Sequence, residues 1–150
     1  MANDIAISEN NSIESFSGGV GRLFTTIKGE DFSAKLALNN AIADAEPIDK
    51  HLDKWINLKD IVVQDVEFTD EDESTGEVTT TPGIMVVLVD DQGKAYRAFS
   101  NGVFRDLQRL LNILGDPNTW PDPVSVKVVQ TVSGKNRFYN LRASLTSAVK

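Results

Sequence analysis

Ile84-Met-Val-Val-Leu-Val-Asp-Asp-Gln-Gly-Lys-Ala-Tyr-Arg-Ala-Phe-Ser-Asn-Gly-Val-Phe-Arg-Asp-Leu-Gln-Arg-Leu-Leu-Asn-Ile-Leu114 is the stretch on which the fold turns. Ile84 to Val89 is a continuous apolar, mostly β-branched run, which predicts a buried strand. Asp90-Asp-Gln-Gly93 supplies a hairpin turn, and Lys94 to Phe99 continues as the partner strand. Ser100-Asn101 then offers side-chain oxygens to cap a helix. Val103, Phe104, Leu107, Leu110, Leu111 and Leu114 recur at helical spacing, with Arg105, Gln108, Arg109 and Asn112 turned outward. Gly115 and Pro117 end it.

On the N-terminal side, Ile56, Leu58, Val62, Gln64, Val66 and Phe68 share one parity, so residues 55–68 read as a long strand. The acidic and threonine-rich segment 69–82 reads as a long solvated loop. On the C-terminal side, Trp120-Pro-Asp-Pro123 leads into two strands folded about Ser133-Gly134. The order strand–strand–strand–helix–strand–strand predicts a mainly β protein with one or two helices: an OB-like five-stranded barrel. Such barrels bind oligonucleotides or oligosaccharides with one face and two loops, here 69–82 and 132–135. Before the barrel, Val20 to Lys28 alternates as a strand, and Pro47 opens a short turn or helix toward Trp55. Asp31 to Ala45 has helical spacing, with Leu36, Leu38, Ala41 and Ile42 on one face, although 32–38 also alternates like a strand. Residues 1–19, rich in Ser, Asn and Gly, read as a flexible arm preceding a single OB-like domain over 20–150.

Bulk properties narrow the chemistry. The 150 residues suit one domain with its own core. The chain has no cysteine and one histidine, which removes disulfides, thiolate metal sites and most nucleophile–histidine arrangements. No apolar run approaches the roughly 20 residues needed to span a bilayer. Asp70-Glu-Asp-Glu73 resembles the start of a calcium loop, but Thr75 stands where such a loop needs glycine, so a solvated tip is the expectation. Ser17-Gly-Gly-Val-Gly21 lacks the Lys-Ser/Thr ending of a phosphate-binding loop. No catalytic residue, metal or cofactor is expected.

The net charge of −7 is segregated. Residues 1–91 hold 19 acidic and 6 basic groups, whereas residues 92–150 hold 3 acidic and 9 basic ones. The final 27 residues contain five basic side chains and no acid. Basic groups attract phosphates and aromatic faces stack on bases, so the terminal hairpin is the candidate site. Alternation places Arg137, Tyr139, Leu141, Ala143 and Leu145 on one side of the last strand, the core side, and Phe138, Asn140, Arg142 and Ser144 on the other. Tyr139 is the exposed ring instead if the register differs by one residue. Lys127 points outward from the preceding strand. Trp55 and Lys59 lie opposite the Val62–Val66 face. In the 94–99 strand, Lys94, Tyr96 and Arg97 join the candidates, with Tyr96 as a second stacking ring and Phe99 in the core, or the reverse.

The string Val126-Lys-Val-Val-Gln-Thr-Val-Ser-Gly-Lys-Asn-Arg-Phe-Tyr-Asn-Leu-Arg-Ala-Ser-Leu145 resembles the C-terminal hairpin of small bacteriophage single-stranded DNA-binding proteins of protein-primed replication systems. The shared features are the Lys-Val-Val-Gln strand, a short Ser/Gly/Lys turn, an aromatic pair and a closing Ser-Leu strand; weaker similarity covers 84–114. The resemblance implies a non-catalytic coat that protects displaced single strands during phage DNA replication, working in the host cytoplasm. It implies single-stranded DNA as partner, with self-association or replication proteins as further ones. The matching positions are Lys127, Lys135, Arg137, Phe138, Tyr139 and Arg142. The alternative is a non-enzymatic phage structural or assembly module that buries Phe138 or Tyr96 in a subunit interface.

Overall fold

The computed structural model describes residues 23–29 and 31–149, so the expected arm 1–19 and the first residues of the expected Val20–Lys28 strand lie outside the described residues. Its elements are β1 (Leu23–Thr25), α1 (Phe32–Asp44), β2 (Glu46–Pro47), a 3-10 turn at Ile48–His51, β3 (Ile56–Glu71) and β4 (Val78–Asp90). There follow β5 (Ala95–Ala98), α2 (Asn101–Leu114), a 3-10 turn at Pro117–Thr119, β6 (Val124–Ser133), β7 (Asn136–Leu145) and a 3-10 turn at Thr146–Ala148. The strands form one curled sheet in the order β2-β5-β4-β3-β6-β7, with β1 added to β3. All pairings are antiparallel except that of β2 with β5. With α2 between the third and fourth barrel strands, the chain forms an OB-like half-barrel.

The long strand β3 does not keep one parity. Its register against β4 shifts between Leu58 and Asp60. Ile56 and Leu58 before the shift, and Ile61 and Val63 after it, face the same core, while Val62 and Val66 face the opposite side. The single apolar face expected for Ile56 through Phe68 is therefore corrected: a bulge inserts one residue and exchanges the two faces. Neighbouring side chains pin it. Thr26 Oγ1 accepts from the Ile61 N–H at 2.9 Å and donates to Asp60 Oδ1 at 3.0 Å. The second of these bonds gives the buried Asp60 carboxylate a donor.

Exchanging faces gives β3 a core on each side. Inside the curl, Ile56, Leu58, Ile61, Val86, Leu88, Val126, Val128 and Leu141 pack beneath Val103 and Leu107 of α2. On the outer face, Val62, Met85, Val87, Val89 and Ala95 are covered by Leu38, Ala41 and Ile42 of α1. The 31–45 segment is thus helical, capped by Asp31, whose side chain accepts from the Ala34 N–H at 2.8 Å. Leu36 is turned to solvent, because the covering stripe is narrower than its apolar spacing suggested. Helix α2 follows its predicted pattern from the Ser100 cap to Gly115, which has φ of 83°, except that Leu114, expected in the apolar stripe, is 44% exposed.

Segment 69–82 is a second correction. The β3–β4 pairing continues through Thr69↔Thr80 and Asp70↔Thr79 to Glu71↔Val78, leaving a tip of only 72–77. β-Branched threonines favour the extended ladder that the acidic composition obscured. Pro82 is tolerated because β5 covers β4 only over Val86–Val89, so Pro82 sits where β4 is an edge.

Candidate nucleic-acid interface

Glycine at φ of 62° in the two-residue Gly134-Lys135 loop sets the β6–β7 register. That register pairs Lys127 with Arg142, Val129 with Asn140, and Thr131 with Phe138. β3 joins β6 through Ile56↔Val126, which brings Trp55 alongside Lys127. The Lys127 Nζ lies 4.8 Å from the Trp55 ring centroid. Trp55, Lys127 and Arg142 thus form one cross-strand row on the outer face, where a cation over an aromatic face is attracted by the ring quadrupole. Lys59 shares the parity of Trp55 and is exposed. Four residues along β7 from Arg142, about 13 Å at strand rise, Phe138 stands on the same side. Its exposure is 51%, with Lys135 exposed in the adjoining turn; Arg137 is exposed too, but on the Tyr139 side of β7.

α2 holds this hairpin from its free edge. Asp106 Oδ2 accepts from the Leu141 N–H at 2.9 Å and from Asn140 Nδ2 at 3.2 Å, so the edge strand keeps a partner for its outward amide. Gly102 makes that approach possible, since a β-carbon there would lie 2.3 Å from the Tyr139 carbonyl oxygen. At the other end, the buried Ser125 Oγ donates to Asn57 Oδ1 at 2.7 Å and shares a 2.8 Å hydrogen bond with Thr146 Oγ1. The sequence held no sign of the Asp106 anchor beyond an acid on the helix, and the row through Trp55 needs the β3–β6 register to be seen.

Other candidates are placed elsewhere. Tyr139 faces inward against the core, and its hydroxyl donates to Asp49 Oδ1 at 3.0 Å; that bond, helped by burial, raises the phenol above its usual range. Tyr96 is buried in the inner core with the His51 ring 4.8 Å away in a T-shaped contact, and burial raises its phenol as well. It cannot stack on a base, and the assignment of Tyr96 outside and Phe99 inside is reversed. Phe99 is 52% exposed, and its ring meets Phe68 edge-on at 5.5 Å. Phe68 lies on the outer side because the β3 bulge exchanged its faces, and Phe99 because it shares the parity of Ala95, which packs on that side. Lys94 pairs with Glu46 at 3.4 Å, and Arg97 donates to the Ala45 carbonyl at the end of α1. Lys94, Tyr96 and Arg97 therefore hold the α1–β2 connection to β5 and do not join the terminal hairpin.

The sequence matches the Phi29-type phage single-stranded DNA-binding protein family over residues 18–144, most of the chain. The chain belongs to that family. Phage single-stranded DNA-binding proteins are a non-enzymatic DNA-binding family, and membership makes single-stranded DNA the partner of this chain. No curated protein and no solved structure matches it. Among the described residues, no group of three or more His, Asp or Glu side chains is placed to hold a metal ion, and no helix is long and apolar enough to cross a membrane.

Proposed function

We propose that the outer face of the β6–β7 hairpin, with Trp55 and Lys59 of the β3 approach, is the surface that takes single-stranded DNA. In this reading the protein coats and protects strands displaced during phage DNA replication in the host cytoplasm, as one non-catalytic OB-like domain. The observation that carries it is the row Trp55–Lys127–Arg142, continued by exposed Phe138, on a face free of acidic side chains along β6 and β7. Affinity comes from phosphate neutralisation by Lys127 and Arg142 on this face and by Lys135 in the adjoining turn; Arg137 lies on the Tyr139 side of β7 and is not part of this face. Tolerance of sequence comes from stacking, because every base presents a π-face. Tyr139 supports the hairpin from within and leaves the stacking to Phe138 and Trp55.

The test is a titration with oligo-dT across salt, followed by tryptophan fluorescence. Three phosphate contacts give a slope of log K against log salt of about −2, from roughly 0.7 per contact on a single strand. The quenched ring is Trp55. Trp120 is held away from this face by bonds from its indole N–H to the Leu114 and Gly115 carbonyls at 3.1 and 3.0 Å, so Trp120→Phe keeps the quench. A slope near zero, or no quenching at low salt, overturns the proposal. The assembly-module alternative is favoured instead if Phe138→Ala with Arg142→Ala abolishes an oligomer and leaves DNA affinity intact.

A further inference from the structure

The outer part of the β3–β4 ribbon, 66–71 and 78–83 with its 72–77 tip, carries Glu67, Asp70, Glu71, Asp72, Glu73 and Glu77 and no basic residue. Every residue from 67 to 82 is exposed. Among the described residues these carboxylates form no ion pair, and the two strands pair only with each other beyond the last β1 partner at Gln64 and the last β5 partner at Val86. Half-exposed Phe68 and Val78 add apolar surface. The β6–β7 hairpin is the opposite in every respect that matters for docking: Lys127, Lys135, Arg137 and Arg142 without an acid, and exposed Val132 and Phe138. The carboxylates and the hairpin bases make no ion pair with each other within the chain.

We propose that the acidic ribbon of one copy docks on the basic β6–β7 hairpin of a second copy, and that single-stranded DNA displaces it. Each copy carries both surfaces, so the occupant is always present at the concentration of the protein itself. The two surfaces differ, which makes the contact head-to-tail and lets it extend over more than two copies. Carboxylates and phosphates compete for the same cations, so free protein self-associates and DNA-bound protein does not. Exposed charges screened over about 10 Å at 0.1 M salt make the contact salt-labile. The inference rests on reading the hairpin as the anion-binding face.

Sedimentation of the full chain, with and without oligo-dT, tests it. At low salt the average mass rises above the 16.4 kDa monomer with concentration and returns to it at high salt; with a short stoichiometric oligo-dT the bound species sediments as one copy per strand. The ribbon variant Asp70→Lys, Glu71→Lys, Glu73→Lys and the hairpin variant Lys135→Glu, Arg137→Glu are each monomeric, whereas their equimolar mixture associates. Asp72 is left in place because its carboxylate organises the tip, accepting from the Ser74 N–H at 2.8 Å. A monomer at every concentration in low salt overturns the proposal, as does association that survives in the ribbon variant. Those results with normal oligo-dT binding leave the DNA-binding reading standing. Charge-dependent association without any oligo-dT binding does the reverse.

Discussion

The acidic β3–β4 ribbon and the basic β6–β7 hairpin are both two-stranded extensions of one sheet, yet they are secured very differently. The hairpin buries Val126, Val128 and Leu141 in the inner core and is fastened along its edge by Asp106 and Gly102 of α2. The ribbon beyond Val66 has Phe68 against Phe99 and otherwise stands in solvent. A strand surface that must present side chains at fixed spacing needs a rigid backing. A projecting ribbon needs only its own ladder. The difference assigns precise positioning to the basic hairpin and adaptable reach to the acidic ribbon.

The largest expected effect is on DNA binding. Base–aromatic stacking is worth about 1–3 kcal/mol per base, so Phe138→Ala weakens oligo-dT binding by roughly 5- to 150-fold. Arg142→Ala adds a loss that shows as a salt slope flatter by about 0.7. Phe68→Ala, removing an equally exposed ring from the ribbon, leaves oligo-dT affinity within about twofold, since ring exposure alone supplies no phosphate partner beside it. Equal losses from the two rings, in parallel fluorescence titrations, would break the distinction between the two regions.

Stability separates them next. A methyl group at Gly102 meets the Tyr139 carbonyl oxygen, a backbone atom that cannot step aside without moving the hairpin from the helix. Gly102→Ala therefore costs about 1–3 kcal/mol by overpacking, more than alanine returns in helix propensity so near the helix start. At Gly83 the nearest atoms to the added methyl belong to the Phe68 ring, a side chain that can turn away but gives up its edge-on contact with Phe99 in doing so. Gly83→Ala therefore costs about 0.5–1 kcal/mol, the lower part of the range for an aromatic pair. Denaturant midpoints of the two variants measure this directly, and equal shifts would remove the argument that α2 clamps the hairpin.

What the sequence disclosed follows the same division. Helix α2 and the β6–β7 hairpin were legible because local signals agree there: a Ser100 cap, a Gly115 stop, helical spacing between them, and glycine in the Ser133–Asn136 turn. Alternation put Phe138 and Arg142 outside and Tyr139 and Leu141 inside, but Ala143 and Leu145, expected on the core side, are exposed. β3 was not legible, because a bulge at 58–60 depends on Thr26 docking from 34 residues away and leaves the local apolar pattern looking continuous. The ribbon was hidden by its acidic composition, which reads as loop although its threonines ladder. Tyr96 and Phe99 differ in parity, and only the β4–β5 register, Leu88↔Tyr96, decides which goes inside.

The smallest predicted effect is a pair of opposite pH responses. The hairpin is joined to the 48–51 turn by the Tyr139 hydroxyl donating to Asp49, a contact that needs the neutral phenol. Its phenol is raised in the folded state, so the contact contributes fully below the ordinary tyrosine range near pH 10 and is lost as pH rises through the raised value. The ribbon tip depends on ionised Asp72, whose carboxyl is lowered by the Ser74 hydroxyl and then by the Ser74 amide. Its contribution is present above the ordinary aspartate range near pH 4 and is lost as pH falls through the lowered value. Acid should therefore loosen the ribbon tip while the hairpin contact persists, and alkali should do the opposite. The Ser74 amide resonance followed through acid, and Tyr139 absorbance through alkali, report the two ends. Tyr139→Phe should remove Tyr139's part of the alkaline absorbance change, leaving that of buried Tyr96, without changing the acid response. A single shared transition would mean that the two extensions are coupled and are not the separately secured elements their contacts describe.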